Sequence, residues 1–143
     1  MANGQTSNEP MLCLTMCAYK REGMDDEDYR KYMTEHHVPL VRDLMVKHGI
    51  DKYSMTDMVE KTHNPPSTRS LMNKIFDAQF ANIADYDCIV QIQFRDIEQF
   101  IALKADPEYK RALFADHEKF ADTKRTRMTI GYVRDFLRDG VIV

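Results

Sequence analysis

The sequence predicts a single α+β domain with a ferredoxin-like sandwich fold. Strand and helix signals follow one another in the order β, α, β, β, α, β, which makes two consecutive βαβ units. A chain of 143 residues is long enough for one hydrophobic core and short for two. Such units form four antiparallel strands with two helices on one face. Because the first strand is apolar on both sides, we expect a second copy of the chain to cover the other sheet face and close a dimeric α+β barrel.

The predicted domain begins after a polar N-terminal segment. Residues 1–10 are rich in Asn, Gln, Ser and Thr and show no periodicity, so we expect a disordered tail there and a domain over 11–143. In the stretch MLCLTMCAY, apolar side chains occupy both alternating sets from Leu12 onwards. This pattern is typical of a strand that is covered on both faces.

A long helix is predicted between this strand and Gly49. Asp25 or Asp26 is suited to its N-cap, and acidic residues occupy its first turn, where the helix dipole favours them. Gly49 is suited to ending it. One broad face of the helix carries Tyr29, Tyr32, Met33, Leu40, Val41, Leu44 and His48.

The middle of the chain combines a strand with an irregular excursion. The stretch DKYSMTDMV predicts a second strand, with Tyr53 and Met55 on one side. Pro65 and Pro66 predict a loop over 61–70, and a short helical piece is expected around 71–76. An excursion of this length can form a lid or a wall of a site.

Clear signals define the second βαβ unit. The stretch DYDCIVQIQF alternates as a strand, and Asp96 with Gln99 forms a capping box that opens a helix. Asp106-Pro107 restarts a helix with proline at its first position. The stretch RMTIGYVRDFL predicts the last strand.

Composition restricts the class of partner. A formal net charge of -3 offers no electrostatic reason to expect nucleic acid or an anionic membrane, so small molecules or proteins are the default partners. No stretch approaches the ~18 to 20 apolar residues of a membrane span, and no secretory signal is present, so we expect a cytoplasmic protein. Cys13, Cys17 and Cys88 form no C-x-x-C motif, which predicts reduced and mostly buried thiols.

The stretch TEHHVPLVRDL places two adjacent histidines and a proline inside the predicted helix. At 100° per residue, His36 and His37 both lie at or near the apolar face. Pro39 lacks an N–H, so it either kinks the helix or starts a new one beside the histidines. We interpret the pair as the wall of a pocket. Packing of a satisfied histidine is the alternative, and the pattern leaves open which ring faces the cavity.

His117, in FADHEKFAD, is a third candidate for acid/base chemistry. It lies between two phenylalanines, where an aliphatic residue would pack equally well. Asp116 and Asp122 are near enough in sequence to orient its ring or to raise its pKa. A surface histidine among charges is the alternative interpretation, and the other two histidines are weaker candidates.

Polar side chains on the predicted strands could orient a ligand. Tyr19 and Tyr53 could donate phenolic hydrogen bonds to an aromatic molecule, although packing is the commoner role of a strand tyrosine. Gln91 shares a strand face with carboxylates, and that face would become a cavity if a second sheet closed over it.

Several common motifs are missing from the sequence. It contains no dinucleotide-binding glycine pattern, P-loop, serine-nucleophile elbow or zincin motif. His36 and His37 also lack the i, i+4 spacing that brings two ligands to one metal ion. Histidine acid/base chemistry without a cofactor or a metal is therefore the simplest catalytic interpretation.

Longer segments carry a family resemblance. The stretches YMTEHHVPLVRDL, YSMTDMV and DPEYKRALFADHEKFADTKRTRMTIGYVRDF resemble the EthD-domain proteins of the dimeric α+β barrel superfamily. More narrowly, they resemble the small fungal members encoded alongside aromatic polyketide synthases, over about residues 11–143. The likeness implies a homodimer, a ligand cavity between sheet and helices, and cofactor-free chemistry. The histidine of the H-x-P-L motif corresponds here to His37.

The resemblance also implies an activity. Members of the fungal subgroup are assigned as decarboxylases of anthraquinone-type carboxylic acids, and relatives act as polyketide cyclases, dehydratases or cofactor-independent monooxygenases. We therefore expect a cofactor-free lyase with His37 as general acid/base and His117 as its partner. The expected substrate-binding residues are His36, Tyr53, Gln91 and Tyr19. A dehydratase or cyclase, an oxygenase, and a non-catalytic protein that binds an apolar ligand are the alternatives.

Overall fold

The computed structural model describes residues 10–58, 71, 72, 74, 75 and 82–143, which contain a four-stranded antiparallel sheet. The strands are β1 Leu12–Ala18, β2 Lys52–Asp57, β3 Cys88–Phe94 and β4 Arg127–Tyr132. Their order across the sheet is β2-β3-β1-β4, and every neighbouring pair is antiparallel. This is the ferredoxin-like topology, so the predicted fold class is confirmed. The sheet of the single chain is open, and its closure into a barrel stays a prediction about the dimer.

The predicted first helix is divided into two. Helix α1 spans Asp26–Tyr32, a π-helical turn spans Met33–His37, and α2 spans Val38–Lys47. Asp25 caps α1 by accepting the backbone N–H groups of Glu27 and Asp28. Gly49, with a φ of +76°, follows the end of α2, where the predicted helix was expected to end. A Cβ at Gly49 would lie 2.8 Å from the Gln99 amide nitrogen, so the Gln99 side chain, which donates to the Gly49 carbonyl at 3.1 Å, would have to shift.

The second helical region also consists of two helices. Helix α3 spans Ile97–Ala105 and α4 spans Pro107–Leu113, and a short 3₁₀ turn follows at His117–Lys119. The predicted capping box is present at the start of α3, and Pro107 occupies the start of α4. Asp106, between them, is buried and accepts hydrogen bonds from Lys47 at 2.8 Å and His48 at 2.7 Å, which ties α2 to α4.

The core lies between one sheet face and the helices. Alternate side chains of β3 point into it, because successive residues of a strand face opposite ways. Phe94, Leu103, Leu113 and Cys88 are the largest fully buried side chains. Burial of Phe94, Leu103 and Leu113 contributes about 1.5–3 kcal/mol each to folding. All three cysteines are free thiols; Cys13 and Cys88 are buried and Cys17 is partly buried, in agreement with the prediction.

A short C-terminal hairpin follows the sheet. Strands β5 Leu137–Arg138 and β6 Val141–Ile142 pair around a turn at Asp139 and Gly140, both with positive φ. The predicted last strand, RMTIGYVRDFL, therefore ends five residues early, at Tyr132, and Leu137 belongs to the hairpin, for which the Asp-Gly pair is a strong signal.

Parts of some predictions lie outside the described residues. These are residues 1–9 of the predicted tail, the loop over 61–70, and positions 73 and 76 of the expected short helix. Leu71, Met72 and Lys74 are helical. In the part of the chain that is described, the helices are all too short or too polar to traverse a bilayer.

Candidate active site

A largely apolar cavity lies between the sheet and the helices. Its volume is about 520 Å³, within the range of small-molecule sites. The strands contribute Leu14, Met16, Val90 and Ile92 to its lining. Because such walls exclude water, the few polar groups that reach the cavity interact more strongly than they would on the surface.

The π-helical turn places His37 in this cavity. Pro39 has no N–H to donate to a carbonyl of the preceding turn, so regular α-helical bonding is interrupted there. The N–H of Val38 donates to the carbonyl of Met33, five residues earlier, which widens the turn. His37 is consequently only 6% exposed and lines the cavity. His36 is exposed instead and stacks on Tyr32, with ring centroids 5.1 Å apart.

A buried carboxylate holds the His37 ring. His37 Nδ1 donates to one oxygen of Asp116 at 2.9 Å, and the Tyr32 hydroxyl donates to the other at 2.6 Å. Asp116 is 4% exposed. Burial alone would raise the pKa of Asp116, but the hydrogen bonds from Tyr32 and His37 and the nearby charges of His37 and Lys119 outweigh it and lower that pKa.

The ionised Asp116 carboxylate determines which nitrogen of the His37 imidazole carries the proton. It keeps the proton of the neutral ring on Nδ1, so Nε2 is left as the nitrogen that can exchange a proton with a ligand. Within the described residues, no hydrogen bond occupies Nε2 of His37. The arrangement resembles the histidine–aspartate part of a catalytic triad, in which the carboxylate orients the ring and stabilises the imidazolium.

His117 lies beside His37 in the same cavity. The two rings meet edge to face with centroids 4.8 Å apart, and Phe120 packs against both. Burial, together with the charges of His37 and Lys104, lowers the pKa of His117 to about 4. His117 is therefore neutral at pH 7 and can accept a proton or a hydrogen bond, but it is not a cationic acid there.

Of the expected effects of Asp116 and Asp122 on His117, one is present: the charge of Asp116 acts to raise the pKa of His117, but other effects outweigh it. Asp116 hydrogen-bonds to His37, from a different helix, and not to its neighbour in sequence. Asp122 accepts two backbone N–H groups of the turn that follows it. The pKa of His117 is lowered and not raised, because burial outweighs the attraction of the Asp116 charge.

Three of the six residues expected in the site line the cavity. His37 and His117 come from the π turn and the 3₁₀ turn, and Tyr53 comes from β2. Burial raises the pKa of the Tyr53 phenol, so the hydroxyl keeps its proton and can donate it in a hydrogen bond.

The other three expected residues lie elsewhere. His36 is exposed to solvent, because the π-helical turn directs His37 to the cavity instead. Gln91 belongs to the opposite sheet face from Val90, where its amide nitrogen lies 3.4 Å from the Thr15 hydroxyl. Tyr19 lies in a separate polar cleft, where its hydroxyl donates to Asp85 at 2.6 Å. The placement of these three residues around this cavity is therefore corrected.

Tyr32 is the site residue that sequence reasoning missed. It was assigned only to the apolar helix face. Five residues apart on an α-helix, Tyr32 and His37 would point roughly 140° apart. The wider π turn lets both reach Asp116. Pro39 beside the histidine pair was the single local sign of such a distortion.

In the described ranges, no three side chains of His, Cys, Asp or Glu come together in a way that could hold a metal ion.

The fold and the site define a small ferredoxin-like α+β protein with a buried histidine–aspartate pair in an apolar cavity. Sequence comparison identifies the family. The EthD domain matches residues 21–124, and the chain belongs to the EthD domain family.

Fungal relatives cover almost the whole chain. A protein of Emericella nidulans named decarboxylase is 50% identical over 98% of this chain and 88% of its own length. Decarboxylase claH of Passalora fulva is 48% identical over 92% of this chain and 82% of its own length. The conidial pigment biosynthesis dehydratase EthD of Metarhizium robertsii is 45% identical over 96% and 94%. The close relatives thus carry the names of enzymes of two types.

Solved structures support the fold alone. An EthD family protein of Bacillus halodurans superimposes with a TM-score of 0.57 at 18% identity, covering 87% of this chain and 99% of its own. A protein of Bacteroides fragilis described as dimeric and ferredoxin-like gives a TM-score of 0.55 at 10% identity, covering 86% and 96%.

Proposed function

We propose that the protein is a cofactor-free lyase that decarboxylates an anthrone- or anthraquinone-type carboxylic acid in fungal aromatic polyketide biosynthesis. The observation that carries the proposal is the 2.9 Å hydrogen bond between His37 and the buried Asp116 at the wall of an apolar cavity. The decarboxylase names of relatives at 45–50% identity support the choice of reaction. The cavity volume and its apolar lining suit a flat, multi-ring substrate.

The proposed reaction replaces the carboxylate by a proton. As the bond between the ring carbon and the carboxyl carbon breaks, its electron pair moves into the neighbouring conjugated carbonyl group and carbon dioxide leaves. For this step the His37 ring first takes a proton from water on Nε2 and becomes an imidazolium; Nε2 then gives that proton to the developing enolate oxygen or directly to the carbon. Asp116 stabilises the charged form of the ring.

His117 has a complementary role in this proposal. With a pKa of about 4, His117 stays neutral at pH 7 and can accept a hydrogen bond from the enol hydroxyl. It can also carry the enol's proton from the oxygen to the carbon. The different surroundings of the two imidazoles separate their functions, as in other sites where two titratable groups have different roles. The Tyr53 hydroxyl can orient a substrate oxygen.

Dehydration is the second candidate. Relatives from Metarhizium robertsii and Gibberella zeae, at 45% and 44% identity, are named dehydratases. The same histidine pair could remove a proton next to a carbonyl and return it to a departing hydroxyl group. Both reactions pass through an enol or enolate, so one site can serve either.

The test is an anaerobic incubation of the purified protein, without added metal or cofactor, with an anthrone-type carboxylic acid. Mass spectrometry that detects loss of carbon dioxide, absent in His37→Ala, supports the decarboxylase. Loss of water supports the dehydratase. Turnover that begins only when air is admitted indicates an oxygenase and refutes the lyase. Binding without turnover under either gas indicates a ligand-binding protein.

We further propose that the protein acts as a homodimer. Apolar side chains are exposed on β4 and on the C-terminal hairpin; Tyr132 is 67% exposed and Ile142 is 85% exposed. Such a patch is typical of a surface that a partner covers. Light scattering after size exclusion should give twice the 16.8 kDa mass of the chain, and a monomer at micromolar concentration contradicts this proposal.

A further inference from the structure

One end of the cavity carries an unbalanced set of hydrogen-bond donors. Lys104, in the last turn of α3, and Tyr109, in α4, both line the cavity together with Tyr53. The ammonium group of Lys104 lies 3.3 Å from the Tyr109 hydroxyl and 4.9 Å from the centre of its ring. Tyr53 and Tyr109 are close enough to influence one another electrostatically.

These donors have no acidic partner in the described part of the chain. No carboxylate lies within 4 Å of the Lys104 ammonium there, and the Tyr53 hydroxyl makes no hydrogen bond. Glu118 also lines the cavity, yet no ion pair joins it to Lys104. Because Tyr109 accepts its hydrogen bond from an ammonium group, its own O–H is left to donate. Apart from the contact between Lys104 and Tyr109, one cation and two phenols therefore present donors that no carboxylate of the described residues accepts.

We propose that Lys104, Tyr109 and Tyr53 form a subsite that binds the carboxylate of an aromatic acid. The inference deepens the proposed function and rests on it for the identity of the ligand. A carboxylate accepts up to four hydrogen bonds, and a hydrogen bond from a charged donor is stronger than one between neutral groups. Lys104 and His117 line the same cavity, and the ammonium charge adds to the lowering of the His117 pKa, after burial and the charge of His37.

The subsite has a defined kinetic signature. The negative charge of the acid leaves the carboxylate as carbon dioxide forms, so Lys104 stabilises the bound acid more than the transition state. Lys104 is thus a substrate-binding residue. Its removal should raise KM for the acid without lowering kcat, whereas the loss of His37 should lower kcat.

The first experiment measures binding in the absence of turnover. The affinities of anthraquinone-2-carboxylate and of the matching carboxamide are measured by calorimetry for the natural protein and for Lys104→Met. Because Lys104 is exposed at the cavity edge, we expect its loss to weaken acid binding about five- to tenfold and amide binding less than about twofold. Lys110→Met, an exposed lysine of α4 that does not line the cavity, is the matched control and should change neither affinity.

The outcomes separate this inference from the proposed function. Equal affinity of the natural protein for acid and amide refutes the subsite, as does an equal loss of both ligands in Lys104→Met. Acid-selective binding that depends on Lys104, in a protein that shows no decarboxylation, supports the subsite and contradicts the decarboxylase. Turnover that depends on His37 and is indifferent to Lys104→Met in KM supports the decarboxylase and contradicts the subsite. Tyr109→Phe should reproduce part of the Lys104→Met effect while leaving the fold intact.

Discussion

Replacing Asp116 by asparagine separates the orientation of His37 from its presence. The carboxylate accepts two hydrogen bonds at 2.6 and 2.9 Å while only 4% exposed, and the substitution preserves its shape. Asparagine has one acceptor oxygen, so it can satisfy Tyr32 or His37 but not both in the present geometry. It also removes the charge that stabilises an imidazolium.

The magnitude follows from these contacts. A hydrogen bond to a charged group contributes about 1.5–3 kcal/mol, so loss of one should lower the free energy of unfolding by that amount. For a chain of this size the melting temperature should fall by roughly 5–10 °C. The turnover rate should fall by about 10²- to 10⁴-fold, which is the usual contribution of a positioned acid/base group.

The pH dependence has a defined sign. The folded-state pKa of Asp116 lies below its ordinary value, so the ionised carboxylate adds stability that is fully present above the unfolded value of about 3.9. That contribution is lost as the pH falls through the folded value. The stability of Asp116→Asn should therefore depend less on pH below about 4 than that of the natural protein.

The assay combines turnover of the aromatic acid with thermal unfolding followed by circular dichroism. Asp106→Asn is the matched control, because Asp106 is also buried and also holds a histidine, at 2.7 Å, but does not line the cavity. The control should lower the melting temperature and keep the turnover rate. Wild-type turnover in a folded Asp116→Asn variant, or an equal loss of turnover in both variants, refutes the role assigned to the His37–Asp116 pair.

Three further predictions concern single positions. His37→Ala should reduce turnover at least 100-fold, by the scale of acid/base catalysis, whereas His36→Ala, at an exposed ring, should stay within about threefold; the reverse order in steady-state assays contradicts the assignment. Because the pKa of His117 falls to about 4 on folding, stability should decrease as the pH drops from about 6.5 to 4, by at most about 3 kcal/mol, and His117→Leu should flatten this slope in urea titrations. Gly49→Ala should cost about 1–2 kcal/mol because of its positive φ and the nearby amide, whereas Gly131→Ala has open space and should change the melting temperature little. Equal melting temperatures for the two glycine variants contradict that argument.

Much of the fold was predictable because its signals are local. Two-residue alternation located the strands, the Asp96–Gln99 pair located the start of α3, and Gly49 located the end of α2. Each of these signals acts within a few residues, so it needs no knowledge of the rest of the molecule. The signal for the C-terminal hairpin, its Asp-Gly pair, is equally local, although the hairpin was not among the predicted elements.

The site could be predicted only in part. The unusual histidine pair beside Pro39 indicated a pocket, and His117 was found by its position between aromatic residues. The sequence pattern did not predict the direction in which each imidazole ring points. Adjacent helical residues differ by 100°, and the proline makes the local phase of the helix uncertain.

The order of strands and helices, the ferredoxin-like class and the presence of candidate histidines were thus readable from local patterns along the chain. Tertiary structure alone decided that His37 and not His36 faces the cavity, that Asp116 pairs with a histidine 79 residues away, and that Gln91 lies on the opposite sheet face. The reason is physical. Caps, turns and alternation depend on neighbours along the chain, whereas a hydrogen bond between distant elements depends on how helices and sheet pack, and that packing is a property of the whole core.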